Sequence, residues 1–138
     1  MEDKEKKAQE MYLQFQAIEQ NIKQLEKQLE VVTHQLMELS VTSSGLDELD
    51  TIKAGKDIFV PLSSGIFAKA VIKDTSELLV NVGANVIVKK DNVSTKRLIQ
   101  NQVEEIRRIQ KQIIDELEKM TGYAAQLEMQ LQGILAQK

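Results

Sequence analysis

Histidine occurs once in this chain, at His34, and cysteine does not occur at all. Zinc needs three or four nitrogen and sulfur ligands at short, fixed spacings, so no zinc site can be assembled from this sequence. Disulfides and thiolate nucleophiles are excluded with it. His34 sits between Thr33 and Gln35 and reads as a solvated or satisfied side chain. Gly55-Lys56 is followed by Asp57, and position 50 is Asp rather than Gly, so the backbone cradle of a phosphate-binding loop is missing. Asp47, Glu48 and Asp50 have neither the regular spacing nor the glycine of a calcium loop. Glu104-Glu105 and Asp115-Glu116 fall within helical pattern, where paired carboxylates are solvated faces. Asn92-Val93-Ser94 matches a glycosylation sequon, yet nothing in the sequence sends the chain to a secretory compartment. No residue set is equipped for catalysis, cofactor binding or metal binding, and an enzyme is not expected.

The charge balance narrows the classes further. With 21 acidic against 18 basic residues the formal net charge is −3 and the isoelectric point is near 5.3, which gives no electrostatic case for nucleic acid or for an anionic membrane. The basic pairs Lys96-Arg97 and Arg107-Arg108 lie within helical pattern. Residues 1–10 have no apolar core for a signal peptide, and no run approaches the roughly 20 apolar residues of a membrane span. A cytoplasmic protein is the expectation. Only 4% of the chain is aromatic and Trp is absent, a composition that suits long amphipathic helices better than a globular core.

What remains as functional surface is apolar. Near the N-terminus Met11, Tyr12, Leu13 and Phe15 cluster, and near the C-terminus Leu127, Met129, Leu131, Ile134 and Leu135. Two helical arms position them. From Ala8 the apolar positions step by three and four through Met11, Phe15, Ile18, Ile22, Leu25, Leu29, Val32, Leu36 and Leu39. That is a heptad seam sustained over more than four heptads, in a helix about 50 Å long. Residues 41–45, β-branched and small polar ones followed by Gly45, are expected to end this arm. Residues 46–52 would then form a short helical turn capped by Ser43 or Ser44. A second seam runs through Ile99, Val103, Ile106, Gln110, Ile113, Leu117, Met120, Ala124, Leu127, Leu131 and Ile134. Its one polar member, Gln110, is of the kind that fixes register at some cost in stability. The seams match in length, so an antiparallel pairing brings both termini together. A two-helix coiled coil covers little beyond its seam, so Tyr12, Leu13, Met129 and Leu135 are expected to stay partly exposed there. Such a surface fits client binding, and Met suits it through its flexible thioether.

Between the arms, residues 57–90 carry short apolar runs separated by glycine-bearing turns, the pattern of two β-hairpins. The first pairs 58–62 with 66–73 across Ser63-Ser64-Gly65. The second pairs 77–82 with 86–90 across Gly83-Ala84-Asn85. Pro61 lacks a ladder donor and belongs at an edge or beside a bulge. By alternation Ile58, Val60 and Leu62 point one way, as do Ile66, Ala68, Ala70 and Ile72 on the partner strand and Leu78, Val80, Val82, Val86 and Val88 in the second hairpin, yet Phe59, Phe67, Val71, Leu79 and Ile87 load the opposite faces. An isolated hairpin is marginal in water and its edges invite pairing. The chain has no third layer to cover this sheet, which argues for burial against other subunits. The fold class expected is α+β, with an N-terminal coiled-coil helix over 1–43, a short turn and two hairpins over 44–91, and a C-terminal coiled-coil helix over 92–138.

The central residues DIFVPLSSGIFAKAVIKDTSELLVNVGANVIVKK, with Val60-Pro61-Leu62, Ala68-Lys69-Ala70, Lys73-Asp74-Thr75 and Val82-Gly83-Ala84, resemble the α-type subunit of prefoldin, also called GimC. Two hairpins rather than one point to the α class. The chain departs from the family at Ser63-Ser64, where members often carry more glycine. The resemblance implies a hexamer of two α-type and four β-type subunits whose hairpins close into β-barrels. The interface would then include Ile58, Phe59, Val60, Ile66, Phe67, Val71, Leu78, Val80, Val82, Val86 and Val88. It also implies an ATP-independent holdase that grips non-native proteins at the arm tips and delivers them to a group II chaperonin, without cofactor, nucleic acid or membrane. The alternative is a coiled-coil scaffold that binds one specific folded partner.

Overall fold

Helix, hairpin, hairpin, helix is the order of elements in the computed structural model, which describes residues 2–136. The elements are α1 (Glu2–Leu49), β1 (Asp57–Ser63), β2 (Ile66–Val71), β3 (Leu78–Asn81), β4 (Ile87–Lys90) and α2 (Asn92–Ala136). The α+β class read from the pattern is the class observed. Met1, Gln137 and Lys138, assigned to the arms by the heptad reading, lie outside the described residues. Two compact units divide the chain, one made of Met1–Leu36 with Ile106–Lys138 and the other of Met37–Glu105.

In the helical unit, the apolar residues at heptad spacing are the ones withdrawn from solvent. Ala8, Met11, Phe15, Ile18, Ile22, Leu25 and Leu29 on α1 are half-buried, as are Leu117, Met120, Ala124, Leu127, Leu131 and Ile134 on α2. Val32 and Ile113, each 9% exposed, are the best-buried aliphatic side chains among the described residues. At the polar step of the seam the half-buried Gln110 side chain donates from its amide to Thr33 Oγ1 at 3.4 Å, a solvent-accessible bond across the interface.

The break expected at residues 41–45 does not occur. α1 runs unbroken to Leu49, and residues 46–52 are not a separate turn capped by Ser43 or Ser44. Three local facts account for this. Thr42 Oγ1 donates to the Glu38 carbonyl at 2.9 Å, which absorbs the hydroxyl into the helix. Gly45 keeps a helical φ and a Cβ added there would meet nothing within 4 Å beyond the helix's own backbone, so its cost is entropic alone, about 1 kcal/mol against Ala. Leu46 and Leu49, half-buried, carry the apolar stripe onward. The helix ends in a tightened turn, with Thr51 N–H donating to Glu48 O at 2.9 Å and Ile52 N–H to Leu49 O at 3.2 Å. The boundaries 1–43 and 44–91 therefore move: the helix gains six residues and the connecting segment begins after Leu49.

Within the second unit the two helix ends are tied by polar contacts. Asn92 Nδ2 donates to the Leu46 carbonyl at 3.2 Å and to the Asp50 carboxylate. Lys96 Nζ pairs with Asp47 at 3.0 Å and with Asp50. Asp91 is the N-cap of α2, its Oδ1 accepting from Ser94 N–H at 2.7 Å, three residues on, as an N-cap side chain does.

The hairpins form two separate antiparallel sheets, β1-β2 and β3-β4. In the first, Ile58 pairs with Ala70, Val60 with Ala68 and Pro61 with Phe67, and the register slips between Pro61 and Ser63. The bulge lies where the proline cannot donate. The ladder stops at Val71 rather than Lys73, although Ile72 still exchanges bonds with Lys56 and Gly55. In the second, Leu78 pairs with Lys90 and Val80 with Val88. Its loop is a type I′ turn: Val86 N–H donates to Gly83 O at 2.9 Å over Ala84 and Asn85, both at positive φ, the twist that suits a tight hairpin. The inward residues Ile58, Val60, Ala68, Ala70, Leu78, Val80 and Val88 are only half-buried. No side chain among the described residues is fully buried.

Candidate functional site

At the end of the helical unit where the two termini converge, Ala8, Gln9, Tyr12 and Leu13 of α1 and Leu131 and Leu135 of α2 line an open groove of about 400 Å³. The spacing explains most of the placement. Ala8 and Leu131 are seam positions, Tyr12 and Leu135 follow directly on seam residues and stand on the flank, and Leu13 lies one position further round, midway between the seam residues Met11 and Phe15. Leu13 is 64% exposed, and Tyr12 and Leu135 are exposed beside it.

Of the residues expected at the tips, the groove gathers Tyr12, Leu13, Leu131 and Leu135. Met11, Phe15, Leu127 and Ile134 are half-buried in the seam and support it. Met129, 74% exposed, stands apart from the groove wall. Gln9 was missed because a polar flank residue carries no apolar signal, and Ala8 was legible only as seam. The groove offers neither a carboxylate nor an ammonium, and Gln9 is its one polar side chain apart from the Tyr12 hydroxyl. It can shelter apolar side chains and can do no acid–base work.

The second apolar surface is on the hairpins. On the outward face of β1-β2, Phe59, Phe67 and Val71 are exposed, Phe59 by 69%, with the solvated pair Lys69–Asp57 at 3.5 Å between them. Ile66, Val82 and Val86 are exposed as well, whereas Ile58, Val60, Leu78, Val80 and Val88 are half-buried on the inward faces. Leu62 on the first hairpin and Leu79 and Ile87 on the second are exposed too. Strand alternation was the signal for Leu79 and Ile87, whereas Leu62, at the bulge, is exposed although alternation set it with Ile58 and Val60.

Shifted ionisations lie at caps and joints, not at either surface. Asp91 is held below the usual carboxylate range first by the Ser94 N–H. Asp74 is lowered by the Ser76 hydroxyl and N–H, which close a local turn. Asp50 is lowered chiefly by the Lys96 ammonium, and Lys96 is raised in return by Asp50 and Asp47. Among the described residues no group of three or more His, Cys, Asp or Glu side chains could hold a metal, and no helix is long and apolar enough to cross a membrane.

A family model described as "Prefoldin subunit" matches residues 18–137. The chain belongs to the prefoldin family. It is similar to prefoldin subunit alpha of Methanobrevibacter smithii, 30% identical over 113 residues that cover 82% of this chain and 72% of that protein. Prefoldin subunit alpha of Methanococcus aeolicus is 27% identical over 124 residues, covering 90% and 84%. A cryo-EM structure of filamentous prefoldin from Methanocaldococcus jannaschii shares the fold, with a TM-score of 0.73 at 16% identity, over 88% of this chain and 98% of that one. This prefoldin chain is of the α type and has the role of a chaperone subunit that assembles with other prefoldin subunits. A scaffold for one folded partner is not the reading these relatives favour.

Proposed function

We propose that this prefoldin α-type subunit works as a cytoplasmic, ATP-independent holdase in a hexamer with four β-type subunits and a second α-type copy. Its hairpins, through Ile58, Phe59, Val60, Ile66, Phe67, Val71, Leu78, Val80, Val82, Val86 and Val88, close into β-barrels with those of its partners. The arm tips hold non-native polypeptides and pass them to a group II chaperonin. No covalent or redox step belongs to this cycle, so catalysis is not part of the reading.

The observation that carries it is the open apolar groove at the convergent termini. If a client buries roughly 200 Å² of apolar surface there, the gross gain is about 5 kcal/mol, and association and ordering costs remove most of it. One tip therefore binds weakly. Several tips on a common base raise the effective concentration, and avidity of about a hundredfold follows from geometry alone. Release then needs only a competitor that displaces tips in turn, which is why nucleotide is dispensable.

The test is suppression of client aggregation by the assembled protein carrying Tyr12→Ser, Leu13→Ser and Leu135→Ser. The triple variant is expected to keep its native mass and helicity and to lose most of its protection of several unrelated unfolded proteins. Full protection at unchanged mass would remove the tips from the mechanism.

A further inference from the structure

The helical unit carries a second apolar groove, half-way along α1, that shares no residue with the one at the termini. It lies where the seam turns polar. Gln110 takes the core position and bonds to Thr33, while Ile109 and Val31, each one position away from the seam, remain 42% and 58% exposed. Both line a groove of about 450 Å³, together with Val32 and Ile113, the two best-buried aliphatic side chains of the described chain. A groove with so well packed a base needs little ordering when it is filled. Flank positions elsewhere on these helices are mostly Gln, Glu and Lys, so this aliphatic pair is a departure from the pattern of a solvated flank.

Charge narrows the occupant. The only charged side chain lining the groove is Lys27, four residues before Val31 and therefore one helical turn away on the same face. Among the described residues it makes no ion pair. The adjoining depression, which shares Gln24 and Gln28 and continues to Met120, is lined by Glu116. An apolar cleft with an ammonium on one wall and a carboxylate one step further on matches a helix with aliphatic anchors and alternating charges.

We propose that this groove docks an amphipathic helix of a partner protein. The helix would lay two aliphatic side chains, spaced i and i+4, over Val31 and Ile109, set a carboxylate against Lys27, and place a basic residue toward Glu116. The charge order fixes the direction in which it lies. This site is separate from the tips and lends the arm a second, sequence-selective contact.

The proposal is tested by titrating the full-length chain, with its Ile and Val methyl groups isotopically labelled, with two synthetic helical peptides of three heptads. One carries the Leu pair with Glu positioned for Lys27, and its twin has Lys in place of that Glu. Shifts centred on Val31 and Ile109 are expected, with the Glu peptide bound about tenfold more tightly. Lys27→Glu, a solvated substitution that leaves helicity unchanged, should invert the order, and Leu13→Ser with Leu135→Ser should leave it as it is. Shifts confined to the tip methyls, equal affinity for the two peptides, or an order unmoved by Lys27→Glu would overturn the proposal. Concentration-dependent changes at Val31 and Ile109 without peptide would overturn it too, by placing a second copy of this chain in the groove.

Discussion

At Ala84 the backbone of the second hairpin holds a non-glycine residue at φ 50, a conformation that costs an L-residue roughly 1–2 kcal/mol. Replacing Ala84 by Gly relieves that strain while making the unfolded chain looser, so a net gain of about 0.5–1 kcal/mol is expected in denaturant unfolding of the assembled protein. Gly83→Ala, at φ 117, should destabilise instead. A lower midpoint for Ala84→Gly would show that the turn is not strained as described. The carboxylates at Asp91 and Asp50 add to the acid sensitivity of the fold. Their folded pKa values are lowered from 3.8, Asp91 first by the Ser94 N–H and Asp50 first by Lys96. Their contribution is therefore complete above the unfolded value and is lost as pH falls through the folded ones. Thermal midpoints should drop as pH falls below about 4, and the drop should be shallower in Asp91→Ala, whose midpoint is already lower at neutral pH. An unchanged acid slope in that variant would rule out the cap. The cap was legible as one of several candidates at residues 91–95; which of them serves depends on where α2 begins.

At the scale of elements, the heptad steps of three and four located every seam residue named on both helices, and the glycine-bearing turns located both hairpins. The end of α1 was not legible. Its local signals, Val41, Thr42, two serines and Gly45, oppose helix, but they are outweighed by Leu46 and Leu49 and by bonds from Asn92 and Lys96, residues more than forty positions away. Gly45 stands helical in open space, so Gly45→Ala should raise stability by about 1 kcal/mol in thermal unfolding. A loss would restore the break. In the seam, Val32→Ala and Ile113→Ala remove the best-buried aliphatic groups and should each cost about 2–3 kcal/mol, measured by the same unfolding. Tip substitutions such as Leu13→Ser should lie within about 0.5 kcal/mol of the parent. The groove at Val31 and Ile109 was hidden because seam counting discards residues off the seam.

For the molecule as a whole, the decisive property is apolar surface that the chain cannot bury by itself. Phe59, Phe67, Val71, Leu79 and Ile87 face outward on sheets of two strands, and hairpins of that size are at best marginally stable alone. This surplus was visible in the sequence as apolar residues on both faces of each strand. The sequence could not show which face stays exposed, because alternation fixes relative faces and not the face that meets solvent. Exposed edges and faces of this kind invite pairing with other chains, and under the proposed function that pairing gathers several subunits whose individually weak sites act together. The most direct measurement is the native mass of this chain mixed with a prefoldin β-type subunit. A complex of two copies of this chain with four β-type copies is predicted. A monomer that persists in the mixture with its hairpins ordered would contradict the account.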